Sequence, residues 1–227
     1  MINPFGIIST VVLFKFFDKY KNFPLIKPFP PLLVTGICLI LILKNFDIDY
    51  KTYNETASWL TFLLIPATIS LGYPLYKNLN MLVKNKRIIY TAFFVAVLLA
   101  LLSTFLIGKF CHTESTIILS MLPKSVTAPI AVEISKSLHG VPELTACFVA
   151  LTGIFGALTG HKILKFIRVK NDIAIGLSMG AASHVIATSK CIETGHEKQV
   201  VMSTLALVLV GIITSIFAPL LLFLLKL

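Results

Sequence analysis

Six apolar runs dominate the chain: Phe5–Phe17, Pro31–Leu43, Ala57–Tyr76, Ile88–Phe110, Leu144–Ile167 and Val200–Leu225. A bilayer core about 30 Å thick takes roughly 20 apolar residues per helical span. Lipid offers backbone groups no hydrogen-bond partner, so such runs cross it as closed helices. The chain has 227 residues, 56% of them apolar and 13% charged, where soluble domains carry about 25% charged. Its mean hydropathy is +0.90. These values exclude a disordered chain, an ordinary soluble enzyme and a disulfide-stapled secreted module. The expected fold is one all-α polytopic membrane domain over residues 1–227, with about six to eight transmembrane segments. Met1–Phe17 lacks the basic start and small-residue cleavage site of a signal peptide. Cys38, Cys111, Cys147 and Cys191 are far apart and read as apolar filler rather than a metal site.

The net charge of +10 would suggest nucleic acid in a soluble protein. Here the basic residues lie in short loops, which points to topology and anionic headgroups instead. Lys15, Lys19, Lys21 and Lys27 follow the first run. Lys77, Lys84, Lys86 and Arg87 follow the third. Lys162, Lys165, Arg168 and Lys170 cluster around Ile167. These groups hold 12 of the 20 basic residues and only two of the ten acids. The positive-inside rule therefore places all three in the cytoplasm. Between the second and third groups lie Ile88–Phe110, Thr116–Ile134 and Leu144–Ile167. Three crossings would put the third group outside and two would put it inside. The expectation is that Thr116–Ile134 enters the membrane and returns. The alternative is a full crossing and one failure of the charge rule.

A second interrupted segment, Ile173–Cys191, is short and polar for a lipid-facing span. It reads either as another re-entrant helix or as a helix buried by its neighbours. Irregular backbone at membrane depth is tolerated only where protein buries it or water reaches it. In secondary transporters, half-helix ends meet near the midplane and bind substrate there. A faint internal likeness between Pro66–Pro74 and Pro123–Pro129, each with hydroxyls between two prolines, suggests an inverted repeat.

Pro66, Pro74, Pro123 and Pro129 are the expected helix breakers. A half-helix starting near Pro123 would expose N–H groups and a positive dipole end to an anion. Lys124 would add full charge, and Ser125 and Thr127 hydroxyl donors. A lysine between two prolines in an apolar segment is costly without a partner. Around Gly180 a second cluster is expected. His184 and Thr188 would share one helical face, with Ser183 and Lys190 near each other. His184 could donate to an anion or relay a proton. Thr68 is a weaker candidate, since helix-internal hydroxyls usually bond to the preceding turn. The chain has no phosphate loop, HExxH or GxSxG. Ser183 and His184 are adjacent, so on a helix they cannot act as nucleophile and base. No enzyme activity, cofactor or metal is expected.

Phe62–Thr68, Pro74–Lys77, Leu122–Thr127 with Pro129–Ala131, Leu151–Ile154 and Gly180–His184 together resemble the LrgB/CidB family. The resemblance spans nearly the whole chain and departs at Gly160-His161-Lys162, where the family often has Gly-Pro-Leu. It implies a bacterial inner-membrane protein with a small LrgA/CidA-type membrane partner. Members are described as holin/antiholin-like regulators of murein hydrolases and autolysis, or as carriers of small carboxylates such as glycolate, glycerate and pyruvate. Buried Lys124, His184 and hydroxyls between prolines suit a carrier better than a hole-forming helix.

Overall fold

A computed structural model describes residues 5–21, 23, 31–63, 66, 69–70, 72–77, 83 and 86–225. The described residues are helical, with no strand among them. The chain divides into two compact units, residues 1–70 and 71–227.

In the first unit, α1 (Phe5–Lys19), α2 (Pro31–Asn45) and α3 (Tyr50–Phe62) pack together. Gly6 allows close approach of α1 to α3. A Cβ there would lie 2.4 Å from the Thr56 hydroxyl, which accepts the Gly6 N–H at 3.0 Å. One turn on, the Thr10 and Tyr53 hydroxyls bond at 2.7 Å. The run expected over Ala57–Tyr76 is only partly described: α3 ends at Phe62, and Thr68 lies outside the described residues. Pro66 is flanked by residues outside the description, so no break can be assigned to it.

The second unit contains α4 (Gly72–Lys77), α5 (Lys86–Phe110), α6 (Ser115–Met121), α7 (Ala128–Ser137), α8 (Pro142–Phe166), α9 (Asp172–Glu193) and α10 (Glu197–Leu225). Pro74 falls in the first turn of α4, where a missing N–H costs nothing. Among the described residues, three helices are long and apolar enough to cross a membrane: Ile89–Phe110, Pro142–Phe166 and Glu197–Leu224. At 1.5 Å per residue each exceeds about 30 Å. They surround the two interrupted segments. Their shared core includes Phe93, Val97 and Leu101 of α5, Val149 of α8, and Met202, Leu205 and Val210 of α10.

The first interrupted segment runs down α5 and turns back. Ile118 packs on Gly108, where a Cβ would lie 2.7 Å from its side chain. Six residues later Lys124 reaches Thr104. α7 then turns the chain back to α6, where the Val141 N–H donates to the Ser120 hydroxyl, near the end of α6, at 2.8 Å. Thr145 and Ser135, both fully buried, join the base of this hairpin to α8 at 2.6 Å.

The second interrupted segment is α9, which breaks at Ser183 (φ −144°, ψ 24°) and His184 (φ 44°, ψ −140°). Its first half runs alongside the start of α10. Cβ atoms on Gly176 and Gly180 would lie 2.4 Å from the Gln199 carbonyl and 2.1 Å from the Ser203 carbonyl. Its second half runs back, so that Asp172 at the start accepts the Gln199 side-chain N–H at 2.7 Å. Residues 115–137 and 172–193 thus each run helix, break and helix. The likeness drawn between Pro66–Pro74 and Pro123–Pro129 falls partly outside the described residues.

Candidate functional site

The two hairpin tips meet the long helices at their midpoints. Residues 96–101 lie halfway along α5, and Val210 and Thr214 halfway along α10. Together with Leu122, Ser125 and Val126 of the first tip and Ala181 of the second, they line one cleft. Ile130, early in α7, packs on Gly211 of α10. Gly153 and Gly156, halfway along α8, receive His184 and Ser183, with hypothetical Cβ atoms 2.6 and 1.9 Å from them. The cleft has room for about 10 Å³, about one water molecule. It is closed to any carboxylate in this conformation.

Each tip has its own chemistry. In the first, Pro123 lies within the break and Pro129 in the first turn of α7. Thr127 is the residue before that helix, yet its hydroxyl makes no capping bond. The residue is 5% exposed and its Oγ1 has no partner among the described residues. The first-turn N–H groups of Ala128 and Ile130 have no intrahelical acceptor. Donors and dipole thus converge on a place that suits an anion. Lys124 donates to Thr104 Oγ1, which itself donates to the Ala100 carbonyl at 2.7 Å. Among the described residues, no carboxylate lies within ion-pair distance of Lys124. Ser125 faces the cleft.

In the second tip, His184 is 3% exposed, and its Nε2 donates to the Val149 carbonyl at 2.9 Å. Its positive φ is rare outside glycine, and such strain costs on the order of 1–3 kcal/mol. The glycines of α8 leave the space that this backbone needs. Ser183 is buried beside it. Thr188 is buried, but its hydroxyl donates to the His184 carbonyl at 3.0 Å, inside its own half-helix. Lys190 does not join the tip. It is half-exposed and pairs with Glu193 at 2.6 Å. The expected closeness of Ser183 and Lys190 assumed an unbroken helix, and the break separates them. The tips thus bring Ser125 and the neighbourhood of Lys124 and Thr127 to the cleft, while His184 is engaged with α8. Sequence reasoning missed Thr104, Gly153 and Gly156. Their signal was small-residue spacing on long helices, which carries no chemistry by itself.

Three long apolar helices and two interrupted helical segments, with polar groups at the breaks, define a helical membrane protein. The chain belongs to the LrgB-like family, whose model matches residues 10–224. Protein YxaC of Bacillus subtilis is 36% identical over 202 residues, 88% of this chain and 86% of its own. Holin-like protein CidB of Staphylococcus aureus (strain Mu50) is 34% identical over 223 residues, 96% and 95% of the two chains. The protein of that name from Staphylococcus epidermidis is 32% identical over 222 residues, 96% and 95% of the two chains. No solved structure matches the chain.

Proposed function

We propose that this chain is a multi-pass secondary carrier of small carboxylates, such as glycolate, glycerate or pyruvate, in the bacterial inner membrane. The observation that carries this reading is the meeting of both hairpin breaks with the midpoints of α5, α8 and α10. Each half-helix of hairpin two has about ten residues, or roughly 15 Å, half the thickness of a bilayer core. Hairpin one opens from the Phe110 end of α5, and hairpin two from the Phe166 end of α8. By the positive-inside rule the Lys162–Lys170 loop is cytoplasmic. Hairpin two would then enter from the cytoplasm and hairpin one from outside. Thr116–Ile134 and Ile173–Cys191 are both re-entrant in this reading, and the fold is an inverted repeat.

The carboxylate is held by the free N–H groups of α7, the Thr127 hydroxyl and Lys124, which leaves Thr104 to meet it. Ser125, Ser183 and Thr188 border the remaining oxygens, and His184 fixes the second tip. Since the cleft holds only one water, transport needs the tips to separate, first toward one side and then toward the other. A small LrgA/CidA-type protein is the expected partner in the membrane. The second reading is a holin-like regulator of murein hydrolases and autolysis. It is favoured by the name that the Staphylococcus relatives carry.

Purified protein in liposomes separates the two. A carrier takes up labelled glycolate or pyruvate and retains a trapped dye, whereas a holin-like pore releases the dye. Losing a charge-assisted contact costs about 1.5–3 kcal/mol, so Lys124→Ala is expected to reduce uptake roughly ten- to a hundredfold. Unchanged uptake in that variant removes Lys124 from the site, and dye release by the wild type rejects the carrier.

A further inference from the structure

At the base of hairpin two, a row of side chains ties three helices together. Asp172 begins α9, Gln199 lies in the first turn of α10 and His161 near the end of α8. The Gln199 amide donates from Nε2 to Asp172 Oδ1 at 2.7 Å. Gln199 is 3% exposed, and its Oε1 lies 3.1 Å from His161 Nε2. The order of donors follows from chemistry. An ionised carboxylate only accepts, so the amide must turn its NH2 toward Asp172. Its carbonyl oxygen then faces His161 and can only accept, so Nε2 of the ring must carry the proton. In the neutral ring that leaves Nδ1 bare. His161 Nδ1 is buried and has no partner among the described residues.

We propose that His161 Nδ1 is a proton-binding site, and that the proton it takes is the one co-transported with the carboxylate. This rests on the carrier reading. The imidazole is held by an amide which is itself held by a carboxylate, so the charge gained at Nδ1 is balanced along the row by Asp172. Of the other groups at this end, His196 approaches Asp172 Oδ2 at 3.6 Å. Glu197 and Lys198 of α10, and Lys162 and Lys165 of α8, are exposed and make none of the hydrogen bonds in the row. Protonation therefore changes the charge on the row that closes hairpin two onto α8 and α10. The resemblance to the family does not supply this residue, since His161 stands where Gly-Pro-Leu is common.

Two measurements test the site. Nitrogen NMR of the full-length protein with labelled histidine reads each ring directly. The expected result is a ring in the Nε2–H form whose Nδ1 gains a proton on acidification, with its signal missing from His161→Gln. In Gln199→Leu, which identifies the ring independently should the first variant fold poorly, the Nε2–H preference is lost. In liposomes, one proton per anion gives about tenfold accumulation for each unit of pH gradient, and His161→Gln is expected to bring this to about one. A His161 Nδ1 that takes up no proton on acidification of the folded protein, or gradient-driven accumulation that survives in His161→Gln, overturns the proposal. If the wild type transports no carboxylate, the carrier reading and the co-transport fail, while the ring titration still decides whether Nδ1 binds a proton.

Discussion

Individual residues at the breaks carry local free-energy costs. Thr127 keeps a buried hydroxyl without a partner among the described residues, at about 1–3 kcal/mol for an unmet polar group. Thr127→Val keeps the shape and removes the cost. Its thermal unfolding midpoint is expected to be equal or higher, while the concentration of carboxylate needed for half-maximal uptake rises. A variant that is less stable and transports normally would assign the hydroxyl to folding. His184 carries a different cost, a backbone conformation that few side chains adopt. Lys124 was legible as a candidate because a lysine between prolines inside an apolar run stands out in any sequence. Thr104 was not, because one threonine in a long apolar helix normally bonds to its own preceding turn. It does so here at 2.7 Å and still serves Lys124.

Among the elements, the two hairpins differ in how far the sequence announces them. The first break lies between Pro123 and Pro129, which remove backbone donors and mark it locally. The second has no proline. Its break at Ser183–His184 depends on Gly153 and Gly156, some thirty positions earlier on α8, which make room for a strained turn. A spacing argument within α9 could not see that. For the same reason it placed Lys190 beside Ser183, when the break sends Lys190 to the surface. The interrupted character of Ile173–Cys191 was readable only as polarity in an apolar context. Its packing rests on Gly176 and Gly180 against the backbone of α10. A methyl group at Gly180 meets the Ser203 carbonyl at 2.1 Å, and backbone cannot yield as a side-chain end can. Gly180→Ala is expected to destabilise the protein by about 1–3 kcal/mol, read as a lower unfolding midpoint in detergent. A neutral result would mean that α9 is not seated on α10 as described.

For the whole molecule, the charge pattern of the loops makes a proposal about sidedness that labelling can test. Loop charges call for Thr116–Ile134 to return to the side it came from, and in the structure Val141 lies against Ser120, with its N–H donating to the Ser120 hydroxyl at 2.8 Å. Single cysteines in a cysteine-free background test the sidedness. His139→Cys, at the base of hairpin one, is expected to react with an impermeant maleimide from outside intact cells. Lys198→Cys, at the base of hairpin two, should react only after permeabilisation. Labelling of both from the same side would reject opposed hairpins. The most direct test of the central claim, that the hairpin tips make a wet solute site, is the labelling rate of Ser125→Cys by a small thiol reagent in membranes. The account predicts that the site reacts and that glycolate or pyruvate slows the reaction. A rate indifferent to every small carboxylate would contradict it.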